Sequence, residues 1–144
     1  MTPNFQQRRS SLIHILKKNG LGAAAFVPGP NFYFLTGLKF SLMERPTLMF
    51  VTDSGDVLAI MPELEREMWS AAMGGATTFY WQDSDGFDKA FSDLAYELGT
   101  TKIGIEGQRM RAFESNALGE VFGSDTIIDA QAELAKPRLL KSDY

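Results

Sequence analysis

Two apolar runs, residues 47–52 (TLMFVT) and 56–61 (DVLAIM), flank Asp53-Ser54-Gly55, and this arrangement limits the fold more than any other feature of the chain. An acidic residue and a glycine between strand-like runs signal a hairpin, because glycine reaches the positive φ that a tight reversal needs. The two runs must then lie antiparallel. Elsewhere short apolar runs alternate with segments of helical period, an order that makes strands parallel. One hairpin inside such a series gives an α/β fold with a mixed sheet.

The remaining segments follow the same punctuation. Thr2-Pro3 reads as a helix N-cap followed by proline at the first helical position, with Phe5, Leu12, Ile13, Ile15 and Leu16 as the apolar face and Asn19-Gly20 as the stop. Residues 21–27 (LGAAAFV) read as a buried strand, ended by Pro28-Gly29-Pro30, where the prolines remove ladder donors. Pro62 opens a helix over 63–73, closed by Gly74-Gly75, and 76–81 is a strand. Asp85, in Asp83-Ser84-Asp85-Gly86, reads as the cap of a helix over 87–98 whose stripe is Phe87, Ala90, Phe91, Leu94 and Leu98. A strand at 102–106, a helix at 110–122 and a strand at 126–128 follow. The tail, 130–144, starts helical and breaks at Pro137.

A chain of 144 residues fits one core and buries roughly 70% of its unfolded surface without disulfides. It has no cysteine, which excludes thiol nucleophiles and cysteine-ligated zinc. The net charge of −4 and the scattered basic residues exclude the footprint of a nucleic-acid binder. Arg8-Arg9 with Lys17-Lys18 read as the solvated face of the first helix. The polar N-terminus does not resemble a signal peptide, and no apolar run approaches the ~18 residues of a membrane span, so the cytoplasm is the default location.

Few residues invite a chemical role. Phe32, Tyr33 and Phe34 are consecutive, so in any regular conformation they cannot all face one core; two pack while the third meets a pocket, an interface or water. Arg45, in Glu44-Arg45-Pro46, offers a fork for a carboxylate, or else pairs with its neighbour at the surface. His14 is the single histidine and has no second His or Cys to complete a metal site, so it reads as an ordinary helix residue. The Asp83–Asp88 stretch has the wrong spacing for a calcium loop. Neither a Walker motif nor a Gly-x-Ser-x-Gly elbow is present.

Several motifs taken in order resemble the N-terminal domain of the creatinase/prolidase (pita-bread metallopeptidase) family. Asn31-Phe32-Tyr33-Phe34-Leu35-Thr36-Gly37 resembles its N-x-x-Y-L-T-G turn, and Arg45-Pro46 the R-P before its apolar strand. Met61-Pro62-Glu63-Leu64-Glu65 resembles its strand-to-helix corner, Ile103-Gly104-Ile105-Glu106 its I-G-I/V-E strand, and Arg138-Leu139-Leu140-Lys141-Ser142 its R-x-x-K-S leader. The resemblance implies a three-layer, ribonuclease H-like α/β domain over residues 1–136, with a mixed sheet of about six strands flanked by helices. Residues 137–144 would then begin the linker to an absent C-terminal catalytic domain.

The resemblance also implies a function: the non-catalytic part of a metal-dependent Xaa-Pro peptidase, an aminopeptidase or dipeptidase, serving dimerisation and active-site access. No catalytic residue or metal ligand is expected in this chain. Two divalent ions (Mn, Co or Zn) are expected in the missing domain, and the partners are a second copy, that domain and a short proline-containing peptide. Asn31, Tyr33, Phe40 and Arg45 are the residues expected to approach substrate in trans. Two alternatives stand beside this one. The parent is a creatinase-like or other non-peptidase relative, or the chain is a stand-alone module that binds peptides or proteins.

Overall fold

The computed structural model describes residues 4–41 and 45–140. In chain order these form α1 (Phe5–Lys18), β1 (Ala23–Phe26), α2 (Pro30–Thr36), β2 (Leu48–Thr52) and β3 (Val57–Pro62). A 3-10 turn (Glu63–Glu65) leads into α3 (Arg66–Ala72), followed by β4 (Thr77–Trp81), α4 (Asp88–Leu98) and β5 (Ile103–Ile105). The chain continues with α5 (Ala112–Phe122), a second 3-10 turn (Ser124–Thr126), β6 (Ile127–Asp129) and α6 (Gln131–Leu140).

The hairpin sets the sheet order. Asp53-Ser54-Gly55 reverses the chain with Gly55 at φ +94°, and the Thr52 hydroxyl accepts the Asp56 N–H at 3.0 Å. β2 therefore lies antiparallel between β1 and β3, while β4 joins β3, β5 joins β1 and β6 joins β5, all in parallel. The order is β4-β3-β2-β1-β5-β6, the mixed six-stranded α/β sheet that was expected.

Strand period 2 sorts the core into two layers. Ala24, Phe26, Met49, Val51, Ala59 and Met61 face one side, where they meet Leu12 and Leu16 of α1, Phe32 and Leu35 of α2, Trp69 of α3 and Leu134 of α6. Ala25, Leu48, Phe50, Leu58 and Ile60 face the other side, against Phe91 and Leu94 of α4 and Leu118 of α5. Gly104 of β5 leaves room for this packing, because a Cβ there would stand 2.8 Å from the Leu21 side chain and 3.1 Å from the Ala130 Cβ.

Several local expectations are corrected. The first helix starts at Phe5 and is capped by Asn4, whose side chain accepts the Gln7 N–H at 2.9 Å; Thr2 and Pro3 lie outside the described residues. The stretch after β1 is a two-turn helix as well as a turn, with Pro30 in its first turn and Gly37 at φ +78° as its left-handed C-cap. Seven residues are too few for helical period to announce themselves in sequence. α2 depends instead on its neighbours. Arg8 and Arg9 are not a solvated face: they donate to the Phe34 and Leu35 carbonyls at 2.8 and 3.0 Å, the end of α2 where carbonyls lack partners. Burial lowers the Arg9 pKa accordingly.

Asp85 does not cap α4. The cap position belongs to Phe87, and Gly86 at φ +74° closes a turn on the Gln82 carbonyl first. Nor does Pro137 break the tail, since α6 runs through it to Leu140. A proline deletes one donor, and here packing on α1, α2 and β5 holds the helix together regardless. Lys141 and Ser142 of the expected leader lie outside the described residues.

Candidate functional site

The chemistry-bearing side chains gather at the carboxyl ends of the parallel strands, where an open α/β sheet offers its crevices. β1 and β5 are neighbours and end together, so the residues that follow them meet. Glu106, just past β5, is fully buried and accepts two hydrogen bonds at 2.9 Å, from the Val27 N–H to Oε1 and from Asn31 Nδ2 to Oε2. The other end of the Asn31 amide accepts from Arg138 Nε at 2.8 Å. Asn31 lies in the first turn of α2 and is 1% exposed, so both ends of its side chain are engaged inside the domain.

Burial pushes the Glu106 carboxyl above its usual range, opposed by these two hydrogen bonds and by the charges of Arg109 and Arg138. Arg109 reaches this corner only because residue 29 is glycine: a Cβ there would stand 2.4 Å from Arg109 Nε. In the sequence, Glu106 and Arg138 stand out only as letters of motifs. The one signal that could have singled out Glu106 is a charged residue closing an apolar strand beside a parallel partner.

Arg45 sits at the same edge, ahead of β2. Its guanidinium grips Asp83 at both ends, Nε to Oδ1 at 3.0 Å and NH2 to Oδ2 at 2.5 Å. That contact holds the exposed Asp83 carboxyl below its usual range. The Trp81 indole pins the same segment by donating to the Pro46 carbonyl at 3.1 Å. Glu44, the other candidate partner of Arg45, lies outside the described residues.

The four residues expected at a substrate are thus placed differently. Phe40 and Arg45 share a cleft of about 340 Å³ with Lys39, Pro62, Leu64 and Met68. Phe40 packs edge-on against Phe32, ring centroids 5.7 Å apart. Tyr33 is the exposed member of its aromatic run, 46% open, while Phe32 and Phe34 are buried, and it lines another cleft with Arg8 and Arg138. Asn31 is buried and is tied to the second cleft through its bond with Arg138. Leu64 and Met68 are also exposed, at 77% and 51%. His14 is exposed on α1. Among the described residues no three His, Asp or Glu side chains converge as a metal-binding group.

A mixed six-stranded sheet with helices on both faces, and a buried carboxylate network at its carboxyl edge, defines a three-layer α/β domain. The particular family follows from comparison: the profile of the creatinase/prolidase N-terminal domain matches residues 8–140, and this chain belongs to that family. Among solved structures, a dipeptidase from Pyrococcus horikoshii OT3 is 26% identical and superposes with a TM-score of 0.74 over 91% of this chain. This chain spans 36% of that protein's length. A proline dipeptidase from Streptococcus pneumoniae gives 20% identity and a TM-score of 0.78, with 97% of this chain and 100% of that one covered. The creatinase/prolidase N-terminal domain of an X-Pro dipeptidase from Streptococcus pyogenes gives 19% and 0.76, covering 88% and 95%. At those two identities the likeness is one of fold. No curated protein sequence matches significantly.

Proposed function

We propose that this domain is the non-catalytic N-terminal part of a metal-dependent Xaa-Pro peptidase, where it builds the dimer and controls access to an active site held elsewhere. The observation that carries this reading is the family match over residues 8–140 together with a Pyrococcus dipeptidase of which the same fold makes up 36%. The described residues do not fit a divalent metal centre, so no catalytic step is assigned to them. The two divalent ions belong to the remainder of the parent protein.

Within this reading the chain shapes a wall. Asn31, Tyr33, Phe40 and Arg45 are proposed to act on a short proline-containing peptide in trans. Tyr33 offers an exposed ring, Phe40 an apolar cleft wall and Arg45 a cation, while Asn31 acts from below by seating α2. Walling off a site excludes water and strengthens the electrostatics inside it. The exposed Leu64 and Met68 suit a protein contact, here with a second copy in the cytoplasm. They also support the second reading, a stand-alone module that binds a protein or peptide.

The mass of the native gene product, probed in its source cells with an antibody against this domain, tests the proposal. A species much heavier than 16.0 kDa, with divalent-metal-dependent cleavage of Xaa-Pro dipeptides, supports it. A heavy species that cleaves an amidino substrate instead points to a creatinase-like parent. A species at 16.0 kDa overturns the peptidase reading and leaves the binding module.

A further inference from the structure

The last helix of the domain has a weak point and a lock at the same place. Pro137 cannot donate the i→i−4 bond to the Glu133 carbonyl, so α6 lacks one helical bond in the turn that leads into Arg138. Arg138, the next residue, reaches across to α2 and donates to Asn31 Oδ1 at 2.8 Å, a contact between residues 107 apart in sequence. Asn31 in turn donates to Glu106, which also accepts from the Val27 N–H just past β1. The middle position must donate to a carboxylate on one side and accept from a guanidinium on the other, and a side-chain amide does both. A carboxylate there would repel Glu106, and an apolar residue would remove one partner from the buried Glu106 and one from the partly exposed Arg138.

We infer that Asn31 is a positioning residue: through the chain Arg138–Asn31–Glu106 it locks the end of α6 to α2, so that the two helices hold or release together. The lock lies beside the cleft formed by Tyr33, Arg8 and Arg138, so the α2 face that carries Tyr33 and the end of α6 share one determinant. The consequence for an enzyme rests on the accessory-domain reading, since in a longer protein the end of α6 would set how the wall is held. The coupling itself is a property of this chain. The charged groups bonded to Asn31 are Glu106, just past β5, and Arg138 of α6, and Arg109 from the turn after β5 acts on Glu106.

Hydrogen exchange measured segment by segment on the 144-residue chain tests the lock. Arg138 is partly exposed, so Arg138→Ala is expected to fold, and it should speed exchange in residues 30–36 as well as in 131–140, by about fivefold or more. Strands β2 and β3 should exchange at their original rates. Asn31→Ala should produce the same pattern from the other end, more strongly because it also removes the bond to Glu106, and the double variant should exchange no faster than Asn31→Ala alone. Lys136→Ala removes a pair with Glu133 on the same helix and should leave residues 30–36 unchanged. The inference is overturned if Arg138→Ala speeds exchange only within α6, or if the effects of the two single variants add. None of these readings needs peptidase activity, so loss of the peptidase assignment would leave them standing.

Discussion

Arg45 and Asp83, 38 residues apart, close the carboxyl edge of the sheet with a two-pronged ion pair between the segment before β2 and the turn after β4. The pair is exposed, and exposed pairs contribute little to stability. Replacing Asp83 by Ala should therefore leave the urea midpoint almost unchanged. On the peptidase reading proposed above, Arg45→Ala in the parent enzyme should raise KM more than it lowers kcat. If Asp83→Ala reproduces that kinetic change in full, Arg45 serves only as the partner of Asp83; an effect confined to Arg45 marks contact with substrate.

Glu106 should leave a pH signature. Because burial raises its pKa, the folded chain keeps a proton that the unfolded chain has lost between the ordinary value (about 4.3) and the raised one. The associated stability is fully present below the ordinary value and is lost as pH rises through the raised one. Glu106→Gln cannot titrate, so the difference between its unfolding free energy and that of the wild type should change across this window. A constant difference would place the Glu106 pKa in the ordinary range. Glu106→Leu leaves the Val27 N–H and the Asn31 amide without this partner and should cost about 3 kcal/mol on the low-pH side of this window, and less above it.

The cap that α1 supplies to α2 should be separable from the core. Arg8→Ala removes the bond to the Phe34 carbonyl and the stacking of the guanidinium 4.2 Å from the Phe34 ring. A loss of about 1–2 kcal/mol is expected. The increase in exchange should be concentrated in residues 30–36. An unaltered denaturation midpoint would show that the two contacts contribute nothing net.

Gly37 carries both a backbone and a steric requirement. Its φ is +78°, and an added Cβ would stand 2.8 Å from the Phe5 ring. Gly37→Ala should cost about 1–3 kcal/mol, read from the thermal midpoint. Gly20 is also at positive φ, yet has open space around it, so Gly20→Ala should cost less. Equal losses would mean that the Phe5 contact adds nothing.

Leu64 and Met68 test the interface. Since neither is buried, Leu64→Asp with Met68→Asp should leave the thermal midpoint within about 2 °C of wild type. If the proposed dimer forms through this face, the same pair should shift sedimentation of the parent protein toward the monomer. A dimer that survives both changes would move the interface elsewhere on the surface.

Much of this fold could be read directly along the chain. The hairpin at Asp53-Ser54-Gly55, the six strands and the helices around them follow from patterns within a few residues. The structure keeps them with small shifts at their ends. The motif order from Asn31 to Glu106 identified the family for the same reason, because it is a property of the linear chain. The misses share an opposite cause. Asp85 has the right residue type for a cap, but the chain turns once more at Gly86 before α4 begins. Arg8 and Arg9 have the composition of a solvated face, but they meet carbonyls 26 residues away.

The sequence by itself determined the alternation of strands and helices, the antiparallel place of β2 and the family, because periodicity, turn chemistry and motifs act over short spans. Tertiary structure alone decided that α2 is a helix, that α6 survives its proline and that Asn31 turns inward. Those outcomes depend on Glu106 and Arg138, 75 and 107 residues from Asn31, and only sheet order brings such partners within hydrogen-bond reach. A hydrogen bond senses distance in space, and position along the chain does not encode it.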